Sequence, residues 1–398
     1  MVKQISTAII GCGAVGQVIG QHLAKSPLIS ELFLADINLI GAKAVADRTG
    51  SDKISISKIN AGDVGQVTEL AKKVDLVVNG TVPMLNLKIM EGCLQGDASY
   101  MDMASGDEYF GHPMLDDQFE LDKKWADAGL TALISMGIDP GTTNLFAKRA
   151  ADRMESVDYV KVRDADTGSL EGYDFVTYFS PEAMLEEVLM DPLYYENGKF
   201  KKSPALEVSE IYPFPDPVGP ILVYRTDHEE SELIPKFLGK PLNFVDFKIS
   251  LDENFVKYVT VLKKIGLLRA EPVNIRGTKV VPFDVVAAVL PRPDALAGKI
   301  KGIACVLTEV SGKMDGKDTV IRTWTLISHE KAYELCGIHA TAYQTGTPVA
   351  VAVEMIARGE IDLVKLAGVK PPESIDPVKF CEYLPEKETP VFEEITHP

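Results

Sequence analysis

The sequence is poor in cysteine and histidine, and neither residue type is spaced as in a metal site. The five cysteines are dispersed and never form a C-x-x-C pair: Cys12, Cys93, Cys305, Cys336 and Cys381. This usage is typical of a reducing compartment, so we expect a cytoplasmic protein without a zinc cluster. The six histidines show no H-E-x-x-H or comparable spacing, and we predict that no metal ion is bound.

Positive charge is also scarce. Lysine and arginine total 41 against 58 aspartates and glutamates, a formal net charge of −17. A general nucleic-acid-binding protein needs a basic surface to neutralise phosphates, so we expect no nucleic-acid partner. No apolar run reaches the roughly 18–20 residues of a membrane span, and the N-terminus lacks the pattern of a secretory signal peptide. The 398 residues are enough for a globular protein of two or three domains.

The first part of the chain alternates between short apolar runs and helical stretches. Strand-like runs occur at residues 6–10, 32–36, 54–59, 75–78, 99–103 and 130–135. Helical stretches lie between most of them, the last at residues 115–128. Strands that alternate with helices form parallel sheets covered on both faces. We therefore predict an α/β, doubly wound dinucleotide-binding domain over residues 1–138.

The pattern changes after residues 137–141. Strand-like segments lengthen, among them residues 175–179, and Asp315-Gly316 separates two β-rich runs, a strong hairpin signal. These features predict a second, α+β domain with a mostly antiparallel sheet over residues 139–345. The apolar helix at residues 348–358 belongs to a C-terminal segment, 346–398, which we expect to return to the first domain. Packing on the middle domain is the alternative.

The motif Gly11-Cys12-Gly13-Ala14-Val15-Gly16 follows an apolar strand and opens a helix. Gly11 allows a tight turn, Gly13 leaves room for a pyrophosphate, and Gly16 lets the helix pack closely on the strand. Asp36, twenty residues beyond Gly16, ends the second predicted strand, where a carboxylate can accept hydrogen bonds from both ribose hydroxyls. A structural turn without a nucleotide is the alternative.

Asp36 favours NAD over NADP, because a carboxylate repels a 2′-phosphate and no lysine or arginine follows it directly. Two further turns are candidates for the cofactor site. Asp63 follows the third strand and either meets the adenine or caps a helix. The turn Asn79-Gly80-Thr81 follows the fourth strand, at the edge where ligands bind in open α/β sheets.

The candidate substrate residues lie at other strand ends and in polar loops. Asp102 could bind an ammonium group or relay a proton, or it could only cap a helix. Asp139 and Thr143 belong to the rigid turn Gly137-Ile138-Asp139-Pro140-Gly141 and the helix that follows it. A substrate carboxylate needs a cationic anchor, for which Arg163 and Arg225 are candidates.

These motifs together resemble the saccharopine dehydrogenase and lysine 6-dehydrogenase superfamily. The resemblance rests on the glycine motif with Asp36, on Asn-Gly-Thr-Val-Pro at 79–83, Tyr-Met-Asp-Met at 100–103 and Gly-Ile-Asp-Pro-Gly-Thr-Thr-Asn-Leu at 137–145. It continues through Thr-Asp-His-Glu-Glu-Ser-Glu-Leu-Ile-Pro at 226–235 and His-Ala-Thr-Ala-Tyr-Gln-Thr-Gly at 339–346. The resemblance thus covers nearly the whole chain.

The resemblance implies a nicotinamide cofactor on the first domain, and a substrate site and a homodimer interface on the second. It implies hydride transfer between nicotinamide C4 and a carbon that bears nitrogen, through an imine, with an amino-acid or amine substrate. His228 matches a family histidine and is the candidate base, with a solvated loop histidine as the alternative. The stretch at 163–168 departs from the Gly-Gly-x-Pro loop of many relatives, which leaves the substrate open.

Three functional hypotheses follow. The first is an NAD-dependent amino-acid dehydrogenase similar to lysine 6-dehydrogenase. The second is a saccharopine- or opine-type enzyme that makes or cleaves a secondary amine between two amino acids, which Asp139 favours. The third is a nucleotide-binding regulatory protein without catalysis, for which the altered stretch at 163–168 is the main support.

Overall fold

The fold was analysed in a computed structural model, which describes residues 4–106, 114–172, 174–175, 177–290 and 297–398. Within them, the first third of the chain forms a parallel sheet. Its strands are β1 (Ile5–Ile10), β2 (Ile29–Asp36), β3 (Ile54–Lys58), β4 (Leu76–Asn79), β5 (Ser99–Met101) and β6 (Thr131–Leu133). Their order is β6-β5-β4-β1-β2-β3, and the late strand Gly368–Lys370 pairs with the outer edge of β6.

Helices cover both faces of this sheet: α1 (Ala14–Lys25), α2 (Ile40–Thr49), α3 (Val64–Ala71), α4 (Asn86–Gly96), α5 (Leu115–Phe119) and α6 (Asp122–Asp127). The strands are apolar on both faces because both are buried; β4, for example, is buried at every position. The predicted doubly wound α/β domain is confirmed. Residues 115–128, predicted as one helix, form the two short helices α5 and α6 instead.

The middle of the chain begins with α7 (Thr142–Arg153) and the long strand β7 (Ser156–Asp166). Then follow α8 (Pro181–Leu189), β8 (Leu193–Glu196), β9 (Lys199–Lys202), β10 (Ser209–Pro213), β11 (Pro220–Arg225), α9 (Glu230–Phe237) and β12 (Phe244–Ser250). Next come α10 (Glu253–Lys264), β13 (Val273–Ile275), β14 (Thr278–Val280), α11 (Pro282–Val289), β15 (Ile303–Met314), β16 (Lys317–Ser328) and α12 (His329–Cys336).

Apart from β13 and β14, which form a two-stranded sheet of their own, these strands belong to a second sheet that is mostly antiparallel, as predicted. The path runs β10-β11-β12-β7-β15-β16, with β8 and β9 beside β12, and within the described part of this sheet only β12 and β7 pair in parallel. The predicted hairpin is confirmed: Asp315 and Gly316 both have positive φ, as its tight turn requires.

The C-terminal segment contains α13 (Ala340–Ala357), β17 (Gly368–Lys370), α14 (Pro377–Tyr383) and β18 (Phe392–Thr396). Val349 and Val353 of α13 share one buried cluster with Ile9 and Ile19 of the first domain. The helix thus packs against the first domain, whereas β18 extends the second sheet beside β16. The exact division at 138/139 and 345/346 stays a prediction. Among the described residues, no helix combines the length and apolar character of a bilayer-spanning segment.

Candidate active site

The glycine motif forms a close-packed turn between β1 and α1. Gly11 has φ +95°, and a Cβ there would lie 2.5 Å from the Gly80 backbone; a Cβ on Gly16 would lie 2.0 Å from the Gly11 carbonyl oxygen. By contrast, a Cβ on Gly13 would meet no atom within 4 Å. The turn is thus closely packed at Gly11 and Gly16 and open at Gly13, next to the start of α1. Free N–H groups at a helix start favour an anion. These residues fit the pyrophosphate of a dinucleotide.

Asp36 lies beside this turn at the end of β2. Its carboxylate accepts a hydrogen bond from the Cys12 N–H at 2.6 Å and another from the Asn38 N–H at 2.7 Å. The carboxylate is therefore fixed next to the glycine motif, where a ribose would reach it. Ala14 and Val15 form the first turn of α1 and are both half-buried.

Asp63 serves as the N-cap of α3. Its side chain accepts from the Gln66 backbone N–H at 3.2 Å and from the Gln66 side-chain amide at 2.8 Å. These hydrogen bonds lower the pKa of this exposed carboxyl. The geometry matches the capping alternative, and adenine contact by Asp63 stays a prediction.

A buried network of polar side chains holds the ends of β4 and β5. The Asn79 amide donates to the Asn86 side-chain oxygen at 2.8 Å and to the Tyr100 hydroxyl oxygen at 3.0 Å. The Asn79 side-chain oxygen accepts from both the N–H and the hydroxyl of Thr81. Gly80, whose Cβ would lie 2.7 Å from the Gly11 carbonyl oxygen, brings this turn against the glycine motif. The glycine motif and the turn Asn79-Gly80-Thr81 are thus in contact.

Asp102 completes the network. It accepts from the Tyr100 hydroxyl at 2.9 Å, the Gln118 side-chain amide at 2.7 Å and the Ser135 N–H at 2.7 Å. Burial raises its pKa to about 6, although these three donors act in the opposite direction. All three donors come from the first domain, so Asp102 organises the ends of β5 and β6. A catalytic role for it stays a prediction.

Glu229, which the sequence analysis did not select, connects the two domains at this edge. Its carboxyl accepts from the Ser105 N–H at 2.6 Å and makes a short hydrogen bond with the Ser135 hydroxyl. Burial raises its pKa to about 8, which the two donors only partly offset. Its position beside His228 in a polar loop was visible in the sequence, but its partners from the first domain were not.

His228 is held by a second carboxylate. Its Nδ1 lies 2.5 Å from Glu230 Oε2, and its ring stacks on Phe247 with 3.8 Å between ring centroids. Glu230, itself fully buried, accepts at its other oxygen from the Thr143 hydroxyl at 2.8 Å. Burial alone would lower the pKa of His228, but the Glu230 carboxylate, with weaker contributions from other acids, raises it well above its usual value.

A cleft beside His228 is lined with acids, and we call it the acidic cleft. Its polar lining residues include Asp139, Asp164, Asp166, Tyr178, Thr341 and Gln344. Burial raises the pKa of Asp164 to about 8, an effect that the neighbouring Asp166 charge reinforces. Tyr178 belongs to residues 175–179, which were predicted as a strand but form none where described.

The structure does not bring Arg163 and Arg225 to the acidic cleft. Side chains alternate along a strand, so Arg163 points to the sheet face opposite Asp164 and Asp166. Its guanidinium lies 2.8 Å from both Asp246 and Glu210, and Arg225 lies 3.0 Å from Asp246. Both arginines are thus neutralised away from the cleft, and a role in substrate binding stays a prediction without geometric support. The i, i+2 spacing of Asp164 and Asp166 was the signal that could have identified the acidic face.

Two family models match the chain. Residues 7–133 match the saccharopine dehydrogenase NADP binding domain, and residues 137–388 match the saccharopine dehydrogenase C-terminal domain. Carboxynorspermidine synthase of Vibrio cholerae is 31% identical over 394 residues and covers 94% of each chain. Carboxyaminopropylagmatine dehydrogenase of Synechocystis is 29% identical over 399 residues and covers 98% of each chain.

Solved structures show the same fold. Apo saccharopine dehydrogenase (L-Glu forming) from Saccharomyces cerevisiae superposes with a TM-score of 0.73 at 15% identity, covering 98% of this chain and 100% of that one. Homospermidine synthase from Legionella pneumophila, solved in complex with NAD, gives a TM-score of 0.67 at 15% identity. The match covers 100% of this chain and 93% of that one. From its two matching domains, the chain belongs to the saccharopine dehydrogenase family of NAD(P)-dependent oxidoreductases that act on C–N bonds.

Proposed function

We propose that the protein makes or cleaves the secondary amine of a carboxylated polyamine, with NAD preferred over NADP. The observation that carries this proposal is the acidic surrounding of His228. Asp139 and Glu187 contribute to the raised pKa of His228, and His228 in turn lowers the pKa of Asp139 and Asp164. Carboxylates suit a substrate rich in ammonium groups, whereas a substrate joining two amino acids needs cationic anchors for its carboxylates. The names of the two relatives denote substrates or products of the first kind.

This proposal selects among the sequence hypotheses. It retains the secondary-amine chemistry of the second hypothesis but replaces one amino-acid partner with a diamine or related amine. Lysine 6-dehydrogenase-like activity, the first hypothesis, finds no support in the names of the relatives. The non-catalytic hypothesis is disfavoured because those relatives are named as a synthase and a dehydrogenase.

The reaction balances in both directions. In the reductive direction, a primary amine condenses with an aldehyde-bearing amino acid to a protonated imine, with loss of water. The bound nicotinamide supplies the hydride that reduces the imine carbon to a secondary amine, and it accepts that hydride in the oxidative direction.

His228 is the proposed proton donor and acceptor. Because Glu230 occupies Nδ1, Nε2 is the nitrogen available for exchange with the substrate. The Glu230 carboxylate raises the pKa of His228 and so favours the charged ring, which can donate a proton during condensation and accept one in the reverse direction. Thr143 supports this role indirectly through its hydrogen bond to Glu230.

Asp36 supports the NAD preference. Its carboxylate is fixed beside the glycine motif, and the next residues, Ile37 and Asn38, offer no positive charge to a 2′-phosphate. Homodimer formation and a cytoplasmic location are further proposals that follow from the family resemblance and the cysteine usage.

The test is a turnover panel followed at 340 nm. NADH oxidation would be measured with four- and five-carbon amino-acid semialdehydes plus α,ω-diamines, and NAD⁺ reduction with lysine and saccharopine. We expect turnover only for semialdehyde and diamine pairs, and faster turnover with NADH than with NADPH. Turnover of free lysine alone would instead establish primary-amine oxidation, and turnover of saccharopine alone would establish the saccharopine-type reaction. NADH binding without turnover across the panel would favour the non-catalytic hypothesis.

A further inference from the structure

We propose that the acidic cleft binds the distal ammonium group of the polyamine portion of the substrate, and that Asp164 and Gln344 determine which amines are accepted. This inference rests on the proposed function and extends it from the reacting nitrogen to the far end of the amine. It assigns a binding role to residues that the sequence analysis did not select as substrate ligands.

The sheet face explains why the cleft is acidic. Asp164 and Asp166 are two residues apart on β7, so both point to the face that carries Ile249 of β12 and Val306 of β15. The basic residues of these strands, such as Arg163, lie on the opposite face in ion pairs. Among the described residues that line the cleft, none is lysine or arginine.

Asp166 is a fixed acceptor at one side of the cleft. Its carboxylate accepts from the Gly168 N–H at 2.7 Å and from the Thr341 hydroxyl at 3.0 Å, and it lies 2.9 Å from His329 Nε2. The Ala340 N–H points at His329 Nδ1 from 3.2 Å, which identifies Nε2 as the protonated nitrogen. The charge of Asp166 is therefore oriented by three donors and adds to the field in the cleft.

Asp139 and Asp164 both line the cleft, and each influences the ionisation of the other. Burial raises the pKa of both carboxyls, and neighbouring negative charges raise it further: Asp164 acts on Asp139, and Asp166 acts on Asp164. A cation placed between them would remove this repulsion and let both ionise. His228 is the partner of opposite sign that already acts on the pair, and its Nδ1 is occupied by Glu230.

Unpartnered polar atoms give an independent sign of a missing ligand. Gln344 lines the cleft and is 2% exposed, yet its side-chain nitrogen has no hydrogen-bond partner, and Asp139 Oδ2 also has none. Buried polar groups are nearly always hydrogen-bonded, so such atoms indicate a polar group that arrives with the substrate. Rotation of the Gln344 amide by half a turn presents its oxygen in place of its nitrogen, which suits an ammonium donor.

The remaining walls of the cleft are apolar. They are formed by apolar side chains, namely Ile138, Phe179, Met184, Ile249 and Val306. The cavity itself has a volume of about 20 Å³, which is room for one water-sized group such as an ammonium. A bare metal ion is a poorer fit, because no three His, Cys, Asp or Glu side chains in the described parts of the chain converge on a metal position.

The experiment compares a diamine with a monoamine of the same length. Isothermal titration of the NADH-loaded protein would measure Kd for 1,3-diaminopropane and for propylamine, and kcat/KM would be measured for both with a semialdehyde. The variants are Asp164→Asn and Gln344→Leu, which keep side-chain size. Asp158→Asn is the matched control, because Asp158 lies on the same strand with an exposed side chain outside the cleft.

We expect the wild-type protein to bind the diamine at least tenfold more tightly than propylamine. Asp164→Asn and Gln344→Leu should each raise the diamine Kd about tenfold or more and leave propylamine within twofold, whereas Asp158→Asn should change neither. Equal affinity of the wild type for both amines would overturn the inference, as would an equal loss for both amines in Asp164→Asn. Diamine binding without turnover of any pair would refute the proposed reaction and leave the cleft assignment standing.

Discussion

At the scale of single residues, Asp36 combines a structural role with a proposed selective one. Replacing it with alanine removes the acceptor for the Cys12 and Asn38 N–H groups and the charge that opposes a 2′-phosphate. Hydrogen bonds to charged groups contribute about 1.5–3 kcal/mol, so Asp36→Ala should weaken NADH binding roughly tenfold to a hundredfold. NADPH binding should weaken less. Titration calorimetry with both cofactors would measure the ratio.

Asp47→Ala is the control for that experiment, because it removes an exposed acid from the neighbouring helix α2. It should alter neither Kd by more than twofold. If Asp36→Ala changed both Kd values by the same factor, Asp36 would act only by holding the glycine turn.

The His228–Glu230 pair makes a second prediction at this scale. Glu230 raises the pKa of His228, so Glu230→Gln should lower that pKa and shorten the pH range in which the ring can donate a proton. The reductive kcat should therefore fall more at pH 8 than at pH 6, and His228→Asn should reduce it about 10²–10⁴-fold throughout. Glu232→Gln, on the same helix, should keep the wild-type profile. A uniform loss in Glu230→Gln would limit Glu230 to positioning.

At the scale of elements, two glycines of one turn have different tasks. A Cβ on Gly16 meets the Gly11 carbonyl oxygen at 2.0 Å, whereas a Cβ on Gly13 meets nothing within 4 Å. Gly16→Ala should therefore destabilise the apo protein by about 1–3 kcal/mol through overpacking. Gly13→Ala should keep the apo melting temperature and impair NADH binding, because its methyl group enters the pyrophosphate space. Calorimetry with and without NADH would separate the two effects. Similar apo stabilities of Gly16→Ala and Gly13→Ala would contradict this prediction.

The elements that sequence could predict are those with local signals. Apolar periodicity and the glycine motif identified β1, α1 and β2, and the Asp-Gly turn identified the hairpin of β15 and β16. The stretch at 175–179 was misread because its aromatic residues pack on partners distant in sequence: Phe175 on Phe255, and Tyr178 on His329. The strand-like composition of this stretch thus reflects side-chain packing and not pairing with another strand.

The sequence predicts those site residues that lie in one local motif, and it misses those that two domains bring together. Gly11, Gly13, Gly16 and Asp36 follow one another in a single βαβ unit, so their proximity can be deduced from spacing. The partners of Glu229 lie 124 and 94 residues away along the chain. The arginines were chosen by charge alone, because the sequence does not show on which face of the sheet the side chains of Arg163 on β7 and Arg225 on β11 lie.

At the scale of the whole molecule, buried carboxyls tie the two domains together and should set the pH dependence of stability. Burial raises the pKa of Glu229 to about 8 in the folded protein, against about 4.3 in an unfolded chain. Between these values the folded state holds a proton that the unfolded state has lost. The free energy of unfolding therefore decreases as pH rises from about 4 to about 8.

Glu229→Gln isolates this contribution, because glutamine keeps the size of the side chain but cannot ionise. The melting temperature of Glu229→Gln relative to the wild type should therefore rise as the pH is raised from 5 to 8, by scanning calorimetry of the apo protein. Glu232→Gln removes an acid from the surface of α9, which pairs with Lys236, and its difference from the wild type should stay nearly constant over this range. If the Glu229→Gln difference were also constant, Glu229 would ionise equally in both states, and the Ser105 and Ser135 hydrogen bonds would hold a charged carboxylate between the domains.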